Sequence, residues 1–180
     1  KISALLFAAM ALALAYGYVR MARLQAGLQE TIKVALVQPN IDYYSPRYDE
    51  VRSLSVLEKL TARAAASNPD LIVWPETVIK SRSLARPAAV RKLEEIIRRN
   101  RNYLVCGVPR QVRGSNKFFS SIHLISPRGE LLGSYDKMRL VPFIDNMSEL
   151  FAALGIKYGL DPYLPGNEIT VLRIPQARFG

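Results

Sequence analysis

An α/β domain entered through one apolar helix is the architecture the sequence predicts. Three observations lead there. From residue 33 onward, short apolar runs rich in β-branched residues alternate with amphipathic helical stretches; a hairpin signature follows them; and an uncharged run, Ile2 to Val19, precedes them all. Strand, helix, strand, helix, strand and then a hairpin calls for helices packed on a mixed sheet.

The N-terminal run, ISALLFAAMALALAYGYV, lies between Lys1 and Arg20. As a helix it reaches about 27 Å, close to the roughly 30 Å of a hydrocarbon core. Tyr16 and Tyr18, followed by Arg20 and Arg23, resemble an interfacial belt, so the run is expected to span a membrane. Two other readings stand beside this one. Ala13-Leu14-Ala15 has the small-x-small form of a signal-peptide cleavage site, and a buried helix of a soluble protein has similar composition. The sequence begins at Lys1 without a Met, which suits an excerpt of a longer polypeptide better than a leader. The expected division is a transmembrane helix with a juxtamembrane extension over residues 1–28 and a second domain over residues 32–180.

Lys33 to Gln38 (KVALVQ) ends at Pro39 and reads as a buried strand. Tyr48 to Ala66 carries Val51, Leu54, Leu57, Leu60 and Ala64 at helical spacing, with Asp49 and Glu50 at the end where a helix dipole favours acids. Asn68-Pro69-Asp70 stops it. Leu71 to Trp74 is a second buried strand; Ala88 to Asn100 is a second amphipathic helix through Val90, Leu93 and Ile97, with Arg98 and Arg99 in its last turn; Tyr103 to Val108 is a third strand. Phe118 to Ile125 and Leu131 to Tyr135 flank the turn Ser126-Pro127-Arg128-Gly129, the pattern of an antiparallel hairpin. Ile144 to Gly166 reads as the longest loop, and Ile169 to Ile174 as a further strand.

Composition narrows the function classes. With 180 residues, 49% hydrophobic and 22% charged, the chain has enough apolar material for one sizeable core and does not read as disordered. One cysteine allows no internal disulfide. The formal charge of +10 is spread from Arg20 to Arg178 without aromatic interleaving, which suits a solvated or membrane-facing surface and argues against nucleic acid as a partner. A single histidine, His123 in SSIHLIS, with no cysteine or carboxylate cluster argues against a metal site. Cys106 lies inside the apolar run YLVCGVP and reads as a buried structural thiol.

Chemistry in α/β folds gathers at the carboxyl ends of strands. Glu76 sits there, after Leu71 to Trp74 and the stiff Pro75. Apolar walls around a carboxylate disfavour its charged form, which suits a general base. Lys137 follows Tyr135-Asp136 and precedes the apolar clamp Leu140-Val141-Pro142-Phe143; a fixed positive charge in a dry site stabilises a developing oxyanion. Each has an ordinary reading too, Glu76 as a cap or surface ion pair and Lys137 as a surface lysine beside Asp136.

Together, LIVWPET (Leu71 to Thr77) and YDKMRLVPF (Tyr135 to Phe143) resemble the glutamate and lysine motifs of the carbon-nitrogen hydrolase, or nitrilase, superfamily, and KVALVQPNI (Lys33 to Ile41) resembles its first strand and turn. The resemblance implies an α-β-β-α sandwich and a Cys-Glu-Lys triad, with Glu76 taking the thiol proton, Lys137 supporting the tetrahedral intermediate and a cysteine forming a thioester. It implies no cofactor and no metal. Within the superfamily, the VQPNI turn, VWPET and KMRLVPF look most like the apolipoprotein N-acyltransferases, membrane enzymes that acylate bacterial lipoproteins. That branch implies a phospholipid acyl donor, an apolipoprotein acceptor and an inner-membrane location with the catalytic domain on the periplasmic side. Arg20 and Arg23 after the span run against the positive-inside tendency for that orientation. Ile144 and Asp145 stand where the branch usually has Gly-Glu, so Asp145 could still supply the supporting carboxylate, shorter by one methylene. The family's nucleophile follows a segment resembling Ala177 to Gly180, so the sandwich is expected to be incomplete here, with the nucleophilic cysteine beyond Gly180 and this chain inactive alone. An amide hydrolase of another branch and an inert truncated product are the alternative readings.

Overall fold

A computed structural model describes residues 2–27, 31–42, 48–141 and 163–180. Two compact units are present, Lys1–Thr31 and Ile32–Gly180. The first is a single helix, α1 (Ile2–Gly27), whose described residues Ser3–Leu24 are long and apolar enough to cross a membrane. Leu5, Leu6, Phe7, Leu12, Leu14, Tyr16 and Tyr18 are all exposed, so its apolar surface runs around the helix and does not form one core-facing stripe.

The second unit is built on a five-stranded mixed sheet. Strands β1 (Val34–Leu36), β2 (Leu71–Val73) and β3 (Tyr103–Gly107) run parallel, joined through α2 (Glu50–Ala65) and α3 (Pro87–Arg99). After β4 (Arg110–Gln111) and β5 (Phe118–Phe119), strands β6 (Ser121–Ile125) and β7 (Leu131–Asp136) complete that sheet antiparallel, in the order β1-β2-β3-β6-β7. β8 (Tyr163–Leu164) joins β4 and β5 in a small three-stranded sheet, and β9 (Leu172–Ile174) pairs with β10 (Ala177–Phe179).

Local signals explain the helix limits. Asp49 caps α2 by accepting from the Arg52 N–H at 2.6 Å, which satisfies one of the orphan donors of the first turn. Asn68 at φ 48 ends the run, a conformation asparagine tolerates better than most residues. Pro87 opens α3 at its first turn, where a missing N–H costs nothing.

Alternation along the strands splits the core in two. Ile72, Leu104 and Cys106 face Leu54, Leu57, Leu93 and Ile96 of the two helices, while Leu71 and Val105 face Leu172 and Ile174 of the β9–β10 ribbon. The described layers are therefore helices, sheet and second sheet. Complete burial of each large aliphatic chain contributes about 1.5–3 kcal/mol.

Three expectations need correction. β1 is an edge strand with Leu36 78% exposed, not a buried strand, because it pairs on one side only, with β2. The run from Phe118 to Ile125 is not one strand: it breaks at Ser120 into β5 and β6, which belong to different sheets. Ile169 and Val171 are exposed and the strand there starts at Leu172. The Ile144 to Gly166 loop lies mostly outside the described residues, and its tail contains β8.

Candidate active site

Glu76 and Lys137 are brought together. Lys137 Nζ donates to Glu76 Oε1 at 3.0 Å across 61 positions of sequence. The carboxylate comes from the parallel half of the sheet and the ammonium from the antiparallel half.

Pairing continues past the end of β2 and carries Glu76 along β3. Trp74 N–H donates to Val105 O at 2.8 Å, Gly107 N–H to Pro75 O at 3.2 Å and Val78 N–H to Gly107 O at 3.0 Å. Pro75 contributes only its carbonyl to this ladder, so its missing N–H is no loss. The approach is close enough that a Cβ on Gly107 would lie 1.6 Å from Glu76 O and 2.5 Å from Pro75 O. Only glycine admits the Glu76 backbone at that distance.

Lys137 is fixed through its backbone. Its N–H donates to Ser120 O at 2.8 Å, and its carbonyl accepts from Gly166 N–H at 2.9 Å. A Cβ on Gly166 would meet Asp136 O at 2.3 Å, so this glycine too is a close-approach residue. Asp136 beside it accepts from Arg110 Nε at 3.2 Å, from Arg110 Nη2 and from Ser121 Oγ at 2.6 Å. Burial pushes the Asp136 carboxyl up, but the bonds from Arg110 and Ser121 outweigh it and hold the group below its ordinary value.

Ser120 is a site residue that sequence reasoning missed. Its Oγ donates to Glu76 Oε1 at 3.2 Å, the same oxygen that takes Lys137. The register of the hairpin decides this. β6 and β7 slip by one residue between Leu124 and Ile125; extending the Ile125↔Leu131 pairing unslipped would set Phe119 opposite Lys137. A bulge adds one residue to one strand and so exchanges the faces beyond it. The hydroxyl takes the place of a phenyl ring.

The expectation of apolar walls around Glu76 is not met among the described residues, for its side chain is 61% exposed against 26% for Lys137. Leu140 is half-buried and Val141 exposed; Pro142, Phe143 and Asp145 lie outside the described residues, so the rest of the clamp and the supporting carboxylate do too.

Cys106 packs in the helix-side core at 1% exposure, and burial pushes its thiol up to about 12. It stays protonated and unreactive at neutral pH. His123 is a structural bridge: its Nε2 lies 2.9 Å from Val108 O and its Nδ1 2.7 Å from Ser134 Oγ. A carbonyl only accepts, so Nε2 carries the proton and Nδ1 accepts from the serine. Burial holds the imidazole below its ordinary value. Among the described residues no group of three metal-ligating side chains converges.

A carbon-nitrogen hydrolase family model matches residues 33–180. The chain belongs to the carbon-nitrogen hydrolase family. Among curated proteins it is similar to an apolipoprotein N-acyltransferase of Geobacter metallireducens, 30% identical over 98% of this chain and 35% of the relative. One from Rhizobium meliloti is 32% identical over 72% of this chain and 26% of the relative. The chain thus spans about a third or less of the length of these acyltransferase relatives. Among solved structures, an amidase of the nitrilase superfamily from Nesterenkonia AN1 covers 83% of this chain and 54% of its own at 22% identity, with a TM-score of 0.57. The same amidase in complex with butyramide gives a TM-score of 0.59 at 21% identity, again over 83% of this chain and 54% of its own. The fold of this family member is the nitrilase-type α/β sandwich.

Proposed function

We propose that this chain carries the membrane helix (residues 1–28) and much of the catalytic domain (residues 32–180) of an N-acyltransferase that moves an acyl chain from phospholipid to the N-terminal diacylglyceryl-cysteine of apolipoproteins. The observation that carries the reading is the 3.0 Å contact between Glu76 and Lys137, delivered by the two motifs that resemble the family's base and oxyanion partner. Similarity to a relative named as such an acyltransferase over 98% of the chain, apolar helix included, supports this branch.

In the proposed mechanism Lys137 and Ser120 both donate to Oε1 of Glu76, which leaves Oε2 to receive a proton. A thiol gives that proton to Glu76 as its sulfur attacks the phospholipid ester carbonyl. The S–C bond forms, the tetrahedral oxyanion develops near the Lys137 ammonium, and the glyceryl C–O bond breaks with the proton passing to the leaving oxygen. The acceptor amine then attacks the thioester and releases the thiol, a ping-pong sequence. Cys106 is packed in the core, so the reading takes its thiol from outside these 180 residues. Asp145 is a candidate supporting carboxylate, and the domain is assigned to the extracytoplasmic side of a bacterial inner membrane.

Acylation of a lipoprotein followed by mass spectrometry tests the reading. The full-length polypeptide should transfer the acyl chain and the 180-residue chain should not; transfer by the short chain would overturn the placement of the thiol. In full-length protein Glu76→Gln should abolish thioester formation, and Lys137→Ala should slow it by roughly 10²- to 10³-fold, as loss of an oxyanion donor does. Carbonate extraction tests the anchor. The protein is expected in the membrane pellet, and release to the supernatant would favour an amide hydrolase of another branch.

A further inference from the structure

Glu50 opens α2, yet only 4% of its surface is exposed. A glutamate in a first helical turn complements the dipole without leaving water, so something else draws it in. Ser83 Oγ donates to Oε2 at 2.5 Å, the Lys80 backbone N–H donates to Oε1 at 3.2 Å, and the Tyr48 hydroxyl donates to Oε1 at 2.8 Å. The Lys80 ammonium stands 4.1 Å from the centroid of the Tyr48 ring. Burying a carboxylate is costly unless strong donors meet it. Two of these donors lie in the segment that follows Glu76.

Farther along the same helix, Thr61 Oγ1 accepts from Trp74 Nε1 at 2.9 Å and donates to Leu57 O at 2.7 Å. Trp74 lies two residues before Glu76 and Lys80 four after it. One helix therefore grips the chain on both sides of Glu76, at two sites roughly 16 Å apart along its axis. The stretch between them is pressed onto Gly107. A turn held at both ends and from beneath has little freedom to swing its carboxylate away from Lys137.

We infer that Glu50 is a positioning residue for Glu76, locking the post-β2 turn to α2 so that the base keeps its place beside Lys137. The inference rests on the reading of Glu76 as the general base. Tyr48 and Ser83 can rotate their hydroxyls, whereas the Lys80 N–H cannot. An amide at position 50 would keep its oxygen on that N–H and turn its NH2 toward Ser83, loosening the turn without emptying the space.

The test is single-turnover thioester formation in the full-length polypeptide, with phospholipid vesicles as donor, for Glu50→Gln, Ser83→Ala and Glu76→Gln. Glu50→Gln is expected to lower the rate constant at saturating phospholipid by roughly ten- to a hundredfold, the usual result of a base displaced by about an ångström. The half-saturating phospholipid concentration should stay within about twofold. Ser83→Ala should shift the rate in the same direction by less, and it decides the question where Glu50→Gln does not fold. Variants that melt earlier but form thioester at the parental rate would reduce Glu50 to a stability role and overturn the inference. Parental rates in Glu76→Gln would instead bring down the base reading. A dead Glu76→Gln beside unimpaired Glu50→Gln and Ser83→Ala would bring down the positioning role alone.

Discussion

Glu76 leaves a parallel strand whose chain lies directly on Gly107, whereas Lys137 leaves an antiparallel strand flanked by Arg110, Ser121 and Gly166. The first arm is held mainly by shape. Its anchors are buried, and the space beneath Glu76 is too small for a methyl group. The second arm combines one tight glycine with a charged network open to solvent on one side, since the Arg110 side chain is 46% exposed. Volume changes should therefore damage both arms, but pH and salt should reach mainly the Lys137 arm.

The largest effect is expected from Gly107→Ala. A Cβ 1.6 Å from a backbone oxygen cannot be accommodated by a side-chain rotation; the Glu76 turn or β3 has to move. Overpacking of this kind costs about 3 kcal/mol, and misplacement of Glu76 should lower thioester formation by roughly 100-fold. Urea unfolding and single-turnover kinetics of the full-length polypeptide measure the two. Stability and rate both within error of the parent would show that the turn is not pinned by shape. Gly166→Ala comes next, at about 2 kcal/mol, because its nearest obstacle, the Asp136 carbonyl, stands at 2.3 Å and not at 1.6 Å. A larger loss for Gly166→Ala than for Gly107→Ala would invert the comparison.

How far this was legible in the sequence follows from the kind of information each residue carries. Glu76 and Lys137 were visible because each ends a run whose period and composition announce a strand. The order of strands and helices was visible for the same reason, and so was the burial of Cys106 within YLVCGVP. Gly107 gave no such signal: its role depends on a crossing between segments 31 residues apart, which period cannot show. Ser120 was hidden by the slip between Leu124 and Ile125, for an unslipped hairpin points at Phe119. Glu50 read as an ordinary first-turn acid, since its burial depends on Ser83 and Lys80 folding back over it. The edge position of β1 was obscured because an apolar run looks alike at the centre and the margin of a sheet.

A middle-sized effect separates the arms by pH. The folded Asp136 carboxyl is held below its ordinary value of 3.8, so its contribution is complete above that value and is lost as pH falls through the lower, folded one. Asp136→Asn should therefore be less stable than the parent from neutral pH down to about 4, and the two should converge below it. Urea midpoints taken across that range check the sign. High salt should shrink the difference, because the Arg110 partner is partly exposed. A gap that widens in acid would mean that the Arg110 network does not hold the Lys137 strand.

The smallest effect belongs to the point where the arms meet. Ser120 Oγ reaches Glu76 Oε1 at 3.2 Å beside the 3.0 Å ammonium bond, and the carboxylate it touches is mostly exposed. Water can replace a hydroxyl there at little cost, so Ser120→Ala should lower the rate of thioester formation by about threefold at most and leave the urea midpoint unchanged. The backbone bond from Lys137 N–H to Ser120 O survives this substitution, which separates the hydroxyl from the register that placed it. A drop as large as that of Gly107→Ala would assign the Ser120 hydroxyl a direct part in holding Glu76, and the division of the site into a shape-held arm and a charge-held arm would give way to one shared network centred on Oε1.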